Sequence, residues 1–190
     1  AILHSLQSME TAVTVDAAHP FPHVQSQELV LVLDCVREDK GEPRLMYAFV
    51  VVPNGLDRFI RLSQSPGETG KPNIRFVAIE TVISLFARTL LPGFRVKDVG
   101  LFRPLRNSEI EFEEKSEDLQ KVLRRALVQR QLGEVIRVEM SASLPEGARE
   151  LIIEGLKADR DDVVIVDDLF AIADIAKLIV PDRPDLLYKP

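Results

Sequence analysis

Two arginines and an asparagine, Arg103, Arg106 and Asn107, stand directly before a stretch of alternating acidic and apolar residues at 109–113. The planar fork of N–H donors on arginine matches the oxygens of phosphate or carboxylate, so one interpretation is a small site for an anionic group. The other is structural: the guanidinium groups pair with neighbouring carboxylates or lie over a sheet edge. We take the three residues as polyanion-binding candidates and keep both interpretations open.

Other reactive side chains do not predict a catalytic or metal centre. All three histidines lie in the first 23 residues, and the proline-rich sequence around His19 and His23 opposes the regular helix that their spacing of four would need to bind a metal. The aspartates near positions 159–168 suit a turn and a helix start. We expect no catalytic residue, no metal site and no cofactor in this segment.

Hydrophobic patterns predict the elements that position the candidate residues. In the first half we expect strands at 28–36 and 46–52 joined as a hairpin, a short strand at 57–62, and a helix at 77–90. A strand pair is expected at 94–99 and 109–113, which places Arg103 and Arg106 in the connection between the two strands. A helix beginning near Ser116 and stopped by Gly133 follows.

The second half has a clearer alternation of strands and helices. We expect a strand at 134–140, a helix opened by a capping box at Ser143 and running to about Lys157, a strand at 162–166, and a last helix capped by Asp168. This order predicts an α+β or α/β fold, a mixed sheet with helices packed on its faces. The chain could consist of two similar halves, the second one β-α-β-α. We expect a lead-in segment at residues 1–27 and a single globular domain at 28–190.

Composition sets limits on location and partners. The chain has 190 residues, 46% of them hydrophobic, and a formal net charge of −6, which argues against a broad nucleic-acid surface. No apolar run approaches the roughly 20 residues of a membrane span. The single Cys35 cannot form an internal disulfide and favours a reducing compartment, so we expect a cytoplasmic protein. The alanine at position 1 suggests a fragment or a processed start.

Six stretches of the chain resemble, in the same order, the middle or head domain of polyphosphate kinase. The residues that carry the resemblance are 15–22 (Val-Asp-Ala-Ala-His-Pro-Phe-Pro), 50–62 (from Val-Val-Val-Pro to Asp-Arg-Phe-Ile-Arg-Leu), 75–94 (from Arg-Phe-Val-Ala-Ile-Glu to Leu-Pro-Gly-Phe), 101–114, 133–139 and 181–186. Together they span roughly residues 12–190. Each motif is short, but their order over one domain length makes the resemblance specific.

The resemblance implies a function for a longer parent protein. Such an enzyme transfers the terminal phosphate of ATP reversibly to polyphosphate through a phosphohistidine, and uses Mg²⁺, but the histidine and the metal ligands lie in later domains outside this segment. The segment itself is then inactive and contributes to the catalytic tunnel and to dimerisation. Its partners are the other domains of the kinase, a second copy in a homo-oligomer, and polyphosphate. The alternative is a stand-alone, non-catalytic binding or oligomerisation module of the same fold.

Overall fold

A six-stranded mixed sheet forms the centre of the computed structural model, which describes residues 13–15, 21–37, 44–53, 55–62, 74–87, 91, 93–107, 133–167 and 169–178. Its strands are β1 (Val13–Val15), β2 (Val30–Arg37), β3 (Arg44–Val51), β6 (Phe94–Arg106), β7 (Val135–Ser141) and β8 (Val163–Val166), in the spatial order β1-β3-β2-β6-β7-β8. A separate two-stranded sheet contains β4 (Phe59–Arg61) and β5 (Phe76–Ala78). The helices are α1 (Ile79–Leu85), α2 (Glu146–Leu156) and two 3₁₀ helices, Arg160–Asp162 and Ile172–Lys177.

Strand β2 lies in the middle of the sheet and is buried on both faces. Leu31, Leu33 and Cys35 belong to a cluster that includes Ile79 and Ile83 of α1, whereas Val30 and Val32 belong to a cluster that includes Ile152 of α2. Because successive side chains of a strand point to opposite faces, an unbroken apolar run such as 29–33 fits a strand covered on both sides. The fold therefore has three layers, and the predicted α+β arrangement with helices on the faces of a mixed sheet is confirmed.

Several predicted elements are confirmed with small shifts. Strands β2 and β3 form the expected antiparallel hairpin, with Val30 opposite Val51 and Arg37 opposite Arg44. In the second half, β7 and β8 are parallel and α2 is the crossover between them. A parallel pair needs such a connection, because a tight turn can only join antiparallel strands. The similarity of the two halves stays a prediction, since residues 108–132 lie outside the described part.

Strand β6 corrects the prediction for the segment that carries the arginines. It is one strand of 13 residues, whose first part pairs with β2 and whose last part, from Phe102 to Arg106, pairs with β7. Arg103 and Arg106 therefore lie within a strand and not in a connection. The carbonyl oxygen of Pro104 accepts a hydrogen bond from the backbone N–H of Gln27 at 2.7 Å, at a point beyond the end of β2. Pro104 is tolerated there because the N–H that proline lacks would have no β2 residue to pair with. The predicted strand at 109–113 and the helix from Ser116 lie outside the described residues.

Three further predictions about local structure are corrected in part. The expected helix at 77–90 begins only at Ile79, because residues 76–78 pair with β4. Helix α2 has Pro145 at its N-cap without a side-chain bond, and the Ser143 hydroxyl donates instead to the carbonyl of Val99, 3.2 Å away. The expected last helix is a 3₁₀ helix beginning at Ile172, and its predicted cap, Asp168, is outside the described residues.

The lead-in segment packs with the sheet over the residues that the structure describes. Strand β1 pairs antiparallel with β3, and Val24 is buried in the α2-side cluster. The Phe21 ring lies 5.2 Å from the Phe49 ring and 6.3 Å from the Phe102 ring, centroid to centroid. The position of the domain boundaries stays a prediction, but residues 21–27 contribute to the same core as the strands.

Candidate functional site

Arg103 lies near the end of β6, where its guanidinium group meets an acidic side chain of the neighbouring strand. Its Nη1 is 3.3 Å from Glu139 Oε2 on β7, and its Nε donates to the carbonyl oxygen of Gln27 at 3.3 Å. A second arginine, Arg137, lies 3.5 Å from the other oxygen of Glu139 and is half exposed. One carboxylate is thus shared by two arginines.

Arg106 has a different environment, in which backbone carbonyls take up its donors. Nε and Nη2 donate to the carbonyl of Val24 at 3.3 and 3.0 Å, and Nη1 donates to the carbonyl of Gly133 at 3.0 Å. Its own amide donates to the hydroxyl of Ser26 at 3.0 Å. Burial lowers the pKa of Arg106, as expected for a cation partly removed from water. Arg106 therefore joins the lead-in segment to the β6–β7 junction.

Asn107 follows directly after β6 and continues the pairing toward β7. Its backbone N–H donates to the backbone carbonyl of Glu134 at 2.8 Å. The structure thus brings all three candidates to the same end of the sheet, with Arg103 beside an acidic partner and Arg106 on backbone carbonyls. These contacts give each arginine a structural role; whether the group also binds a polyanion stays a prediction.

A buried ion cluster lies around Arg58, the residue directly before β4. Arg58 Nη2 and Nε are 2.7 and 3.3 Å from Glu80 Oε1, and both side chains are less than a tenth exposed. Arg58 Nη1 lies 2.9 Å from Asp174 Oδ2 and 3.2 Å from the carbonyl oxygen of Ala171. Lys177 Nζ is 2.8 Å from the other carboxylate oxygen of Asp174. The cluster links β4, α1 and the second 3₁₀ helix.

The electrostatics of this cluster are those of closely paired charges. Burial would lower the pKa of Arg58, but its hydrogen bonds and charge interactions with Glu80 and Asp174 outweigh that effect and raise it. Burial would raise the pKa of Asp174, yet hydrogen bonds from Lys177 and Arg58 hold it below its usual value. Two cations are thus balanced by two carboxylates.

An open cleft of about 390 Å³ adjoins the ion cluster and is a candidate ligand-binding site. Its lining residues are Gly55, Leu56, Asp57, Arg58, Phe59, Phe76, Lys177 and Leu178. The positive charges of Arg58 and Lys177 are matched by Glu80 and Asp174, and Asp57 adds a further negative charge, so the described lining residues offer no surplus positive charge to attract a phosphate group.

In the described ranges, no three His, Cys, Asp or Glu side chains come together in a way that could hold a metal ion. None of the helices in these ranges has the length and apolar character needed to cross a bilayer.

Comparison with known proteins decides the family. Residues 3–178 match the family model described as the polyphosphate kinase middle domain. The chain belongs to the polyphosphate kinase family. Curated polyphosphate kinases agree: that of Erythrobacter litoralis is 35% identical over 184 residues and that of Mycolicibacterium gilvum is 34% identical over 182. These alignments cover 97% and 95% of this chain but only 24% of each relative, so the chain spans about a quarter of the length of the polyphosphate kinases it matches.

A solved structure supports the fold of this polyphosphate kinase domain. The crystal structure of polyphosphate kinase from Porphyromonas gingivalis superposes with a TM-score of 0.69 at 16% identity, and the match covers 95% of this chain and 24% of that one. The resemblance noted from the sequence motifs is therefore confirmed, both in the family and in the assignment to its middle domain.

The ion cluster of this polyphosphate kinase domain was not predicted from the sequence, although two of its members lie in the motif segments. Arg58 lies in residues 50–62 and Glu80 in residues 75–94. The signal that could have found them is their position, since each is a charged residue next to an apolar one, Phe59 or Ile79, in a segment that must be partly buried. Asp174 lies between Ala173 and Ile175, but the local sequence does not indicate that its partner is Arg58, 116 residues away.

Proposed function

We propose that this chain works as the middle domain inside a longer, cytoplasmic polyphosphate kinase. That enzyme transfers the terminal phosphate of ATP reversibly to polyphosphate with Mg²⁺, through a phosphohistidine that lies outside this segment. The observation that carries the proposal is the extent of the match: nearly the whole chain aligns with about a quarter of each curated relative. The segment supplies no catalytic group, and its partners are the remaining domains of the kinase.

The role we propose for the domain is architectural. Its three-layered fold, with a sheet buried on both faces, is a rigid support for a catalytic tunnel and for contacts with a second copy. Polyphosphate is a linear polyanion, and arginine suits its oxygens. We propose that Arg103 makes an auxiliary contact with it, helped by Asn107, while Arg106 holds this end of the sheet in place through the Val24 and Gly133 carbonyls.

Binding of polyphosphate to the purified chain tests the auxiliary contact. We expect weak, salt-sensitive binding, because each neutralised phosphate releases a counterion, and we expect Arg103→Ala to weaken it several-fold at low salt. Arg160→Ala is the matched control, since Arg160 is an exposed arginine paired with Glu150 elsewhere on the surface. Equal binding by the two variants would leave Arg103 with only its structural contacts to Glu139 and to the Gln27 carbonyl.

Two further measurements test the assignment to a parent kinase. The purified chain should form no polyphosphate from ATP and Mg²⁺, and robust synthesis would place catalytic groups in this segment after all. An antibody against the chain should detect, in a lysate of the source cells, a species several times larger than the 21.3 kDa of this chain. A native species near that mass would favour the stand-alone binding or oligomerisation module.

A further inference from the structure

The second 3₁₀ helix, Ile172–Lys177, follows Phe170, which is buried in the core beneath α1. None of the six residues of this helix is buried; Ile172 is 70% exposed and Ile175 is 44% exposed. Its attachment to the domain therefore owes little to the hydrophobic effect, which is proportional to the apolar surface removed from water. Among the described residues, its hydrogen bonds and ion pairs to another element are those of Asp174 and Ala171 with Arg58.

The backbone at this point is held in an unfavourable conformation. Ala171, the residue before the helix, has φ of 48° and ψ of 58°, in the left-handed region that residues with a Cβ atom seldom adopt. Its carbonyl oxygen accepts from Arg58 Nη1, and the same nitrogen donates to Asp174. Both hydrogen bonds require the chain to turn at Ala171, so one guanidinium group stabilises a turn that the local sequence does not favour.

Glu80 supplies the other half of the cluster and keeps Arg58 in place. It accepts two bonds from Arg58 through Oε1, while its Oε2 is buried without a hydrogen-bond partner among the described residues. A buried carboxylate in that state depends on its cation. The Arg58–Glu80 pair is thus a fixed part of the core, and Asp174 is the more exposed member that joins it from outside.

We propose that Arg58 is a clamp for residues 171–178, and that this segment opens as a unit, with the sheet still folded, when the contact with Asp174 is lost. The match to the middle-domain model ends at residue 178, directly after the clamped helix. If the chain works within a longer kinase, which is the function proposed above, the clamp sets the course of the backbone at that end of the domain.

Native-state hydrogen exchange, followed by NMR on the 190-residue chain, tests the clamp. The reporter amides are those of Asp174 and Leu178, which donate to the carbonyls of Ala171 and Ile175, and the reference amides are those of β2. We expect Asp174→Ala to accelerate exchange at the reporters about tenfold or more, since a hydrogen bond between charged groups is among the stronger ones. Exchange in β2 should change less than about twofold, because a local opening leaves the core closed.

Lys177→Ala is the matched control, because it removes only the exposed partner of Asp174 within the same helix. We expect it to change reporter exchange less than about twofold, as surface pairs contribute little. The clamp is refuted if Asp174→Ala leaves the exchange rates of the reporter amides unchanged, or if it accelerates exchange in β2 equally. It is also refuted if Lys177→Ala has the same effect as Asp174→Ala, or if the reporter amides are unprotected in the wild type. None of these readouts depends on whether the native protein is a kinase.

A double variant that removes one positive and one negative charge tests the role of the Arg58–Glu80 pair in the clamp. Arg58→Met alone leaves Glu80 buried without its cation and should unfold the domain, so we pair it with Glu80→Met. The double variant should fold, and the backbone amides at positions 174 and 178 should exchange as fast in it as they do in Asp174→Ala. Wild-type protection at these amides in the folded double variant would overturn the proposal.

Discussion

Replacing Gly155 in α2 by alanine gives a sharp test of how the lead-in segment packs. A Cβ atom at this position would lie 2.2 Å from Cγ of Phe21, 2.3 Å from its Cδ2 and 2.7 Å from its Cδ1. These are ring atoms close to the backbone of Phe21 and not the end of a flexible chain, so the ring must leave its place. The substitution therefore acts on the aromatic group that Phe21 forms with Phe49 and Phe102.

Two opposing effects decide the sign of the change in stability. Within a helix, alanine is more favourable than glycine by about 1 kcal/mol. Displacing a partly buried phenylalanine loses about 1.5–3 kcal/mol of hydrophobic stabilisation, and each aromatic contact that it makes adds about 0.5–1.5 kcal/mol. The losses exceed the gain, and we expect Gly155→Ala to lower the free energy of unfolding by about 1.5–5 kcal/mol.

Urea unfolding followed by circular dichroism measures this free energy, since the chain contains no tryptophan to report by fluorescence. The transition midpoint should fall with little change in slope. In a Phe21→Ala background the clash is absent, and Gly155→Ala should then stabilise the protein by about 1 kcal/mol. Gly55→Ala is a control, because a Cβ atom at Gly55 meets nothing within 4 Å. A stabilising effect of Gly155→Ala in both backgrounds would refute the packing of Phe21 on α2.

The parts of the fold that could be predicted are those specified by local patterns. The hairpin of β2 and β3 was predictable because a charged segment with glycine and proline separates two apolar runs. The parallel pair of β7 and β8 was predictable because a helix-period segment lies between two short strand-period segments.

The incorrect predictions arose where a tertiary contact overrides the local signal. A strand was expected to end at 99, but the backbone of Pro104 faces Gln27 beyond the end of β2, so β6 continues through Pro104 to Arg106. Ser143 looked like a helix cap, but its hydroxyl donates to Val99 on β6. In both cases the deciding partner is more than 40 residues away in the sequence, and composition does not reveal it.

The candidate site also combines features that the local sequence predicts with features that depend on tertiary contacts. That Arg103 and Arg106 lie close together followed from their spacing, but Arg106 differs from Arg103 only through the carbonyls of Val24 and Gly133 that surround it. The cluster of Arg58 with Glu80 and Asp174 needs three elements that meet only in the folded chain. Residue type alone cannot distinguish a buried, paired arginine from the many solvated ones.

Two further predictions concern a thiol and an arginine that the fold encloses. Burial, and to a smaller extent the charge of Asp34, raises the pKa of Cys35 from 9.0 to about 11. Because the folded protein favours the protonated thiol, this pKa shift contributes to the free energy of unfolding below pH 9.0, and the contribution is lost as the pH rises through about 11. The Cys35 thiol should therefore resist a disulfide reagent such as DTNB at neutral pH until denaturant is added, and rapid native labelling would contradict its burial. Arg106→Met keeps the apolar stem but removes the donors to the Val24 and Gly133 carbonyls, so we expect urea unfolding to show a loss of about 1–3 kcal/mol. Arg160→Met should change stability by no more than about 0.5 kcal/mol, because its ion pair is exposed. If Arg106→Met were equally neutral, the lead-in segment would not be held by this guanidinium group, and Arg106 would be as available to a polyanion as Arg103.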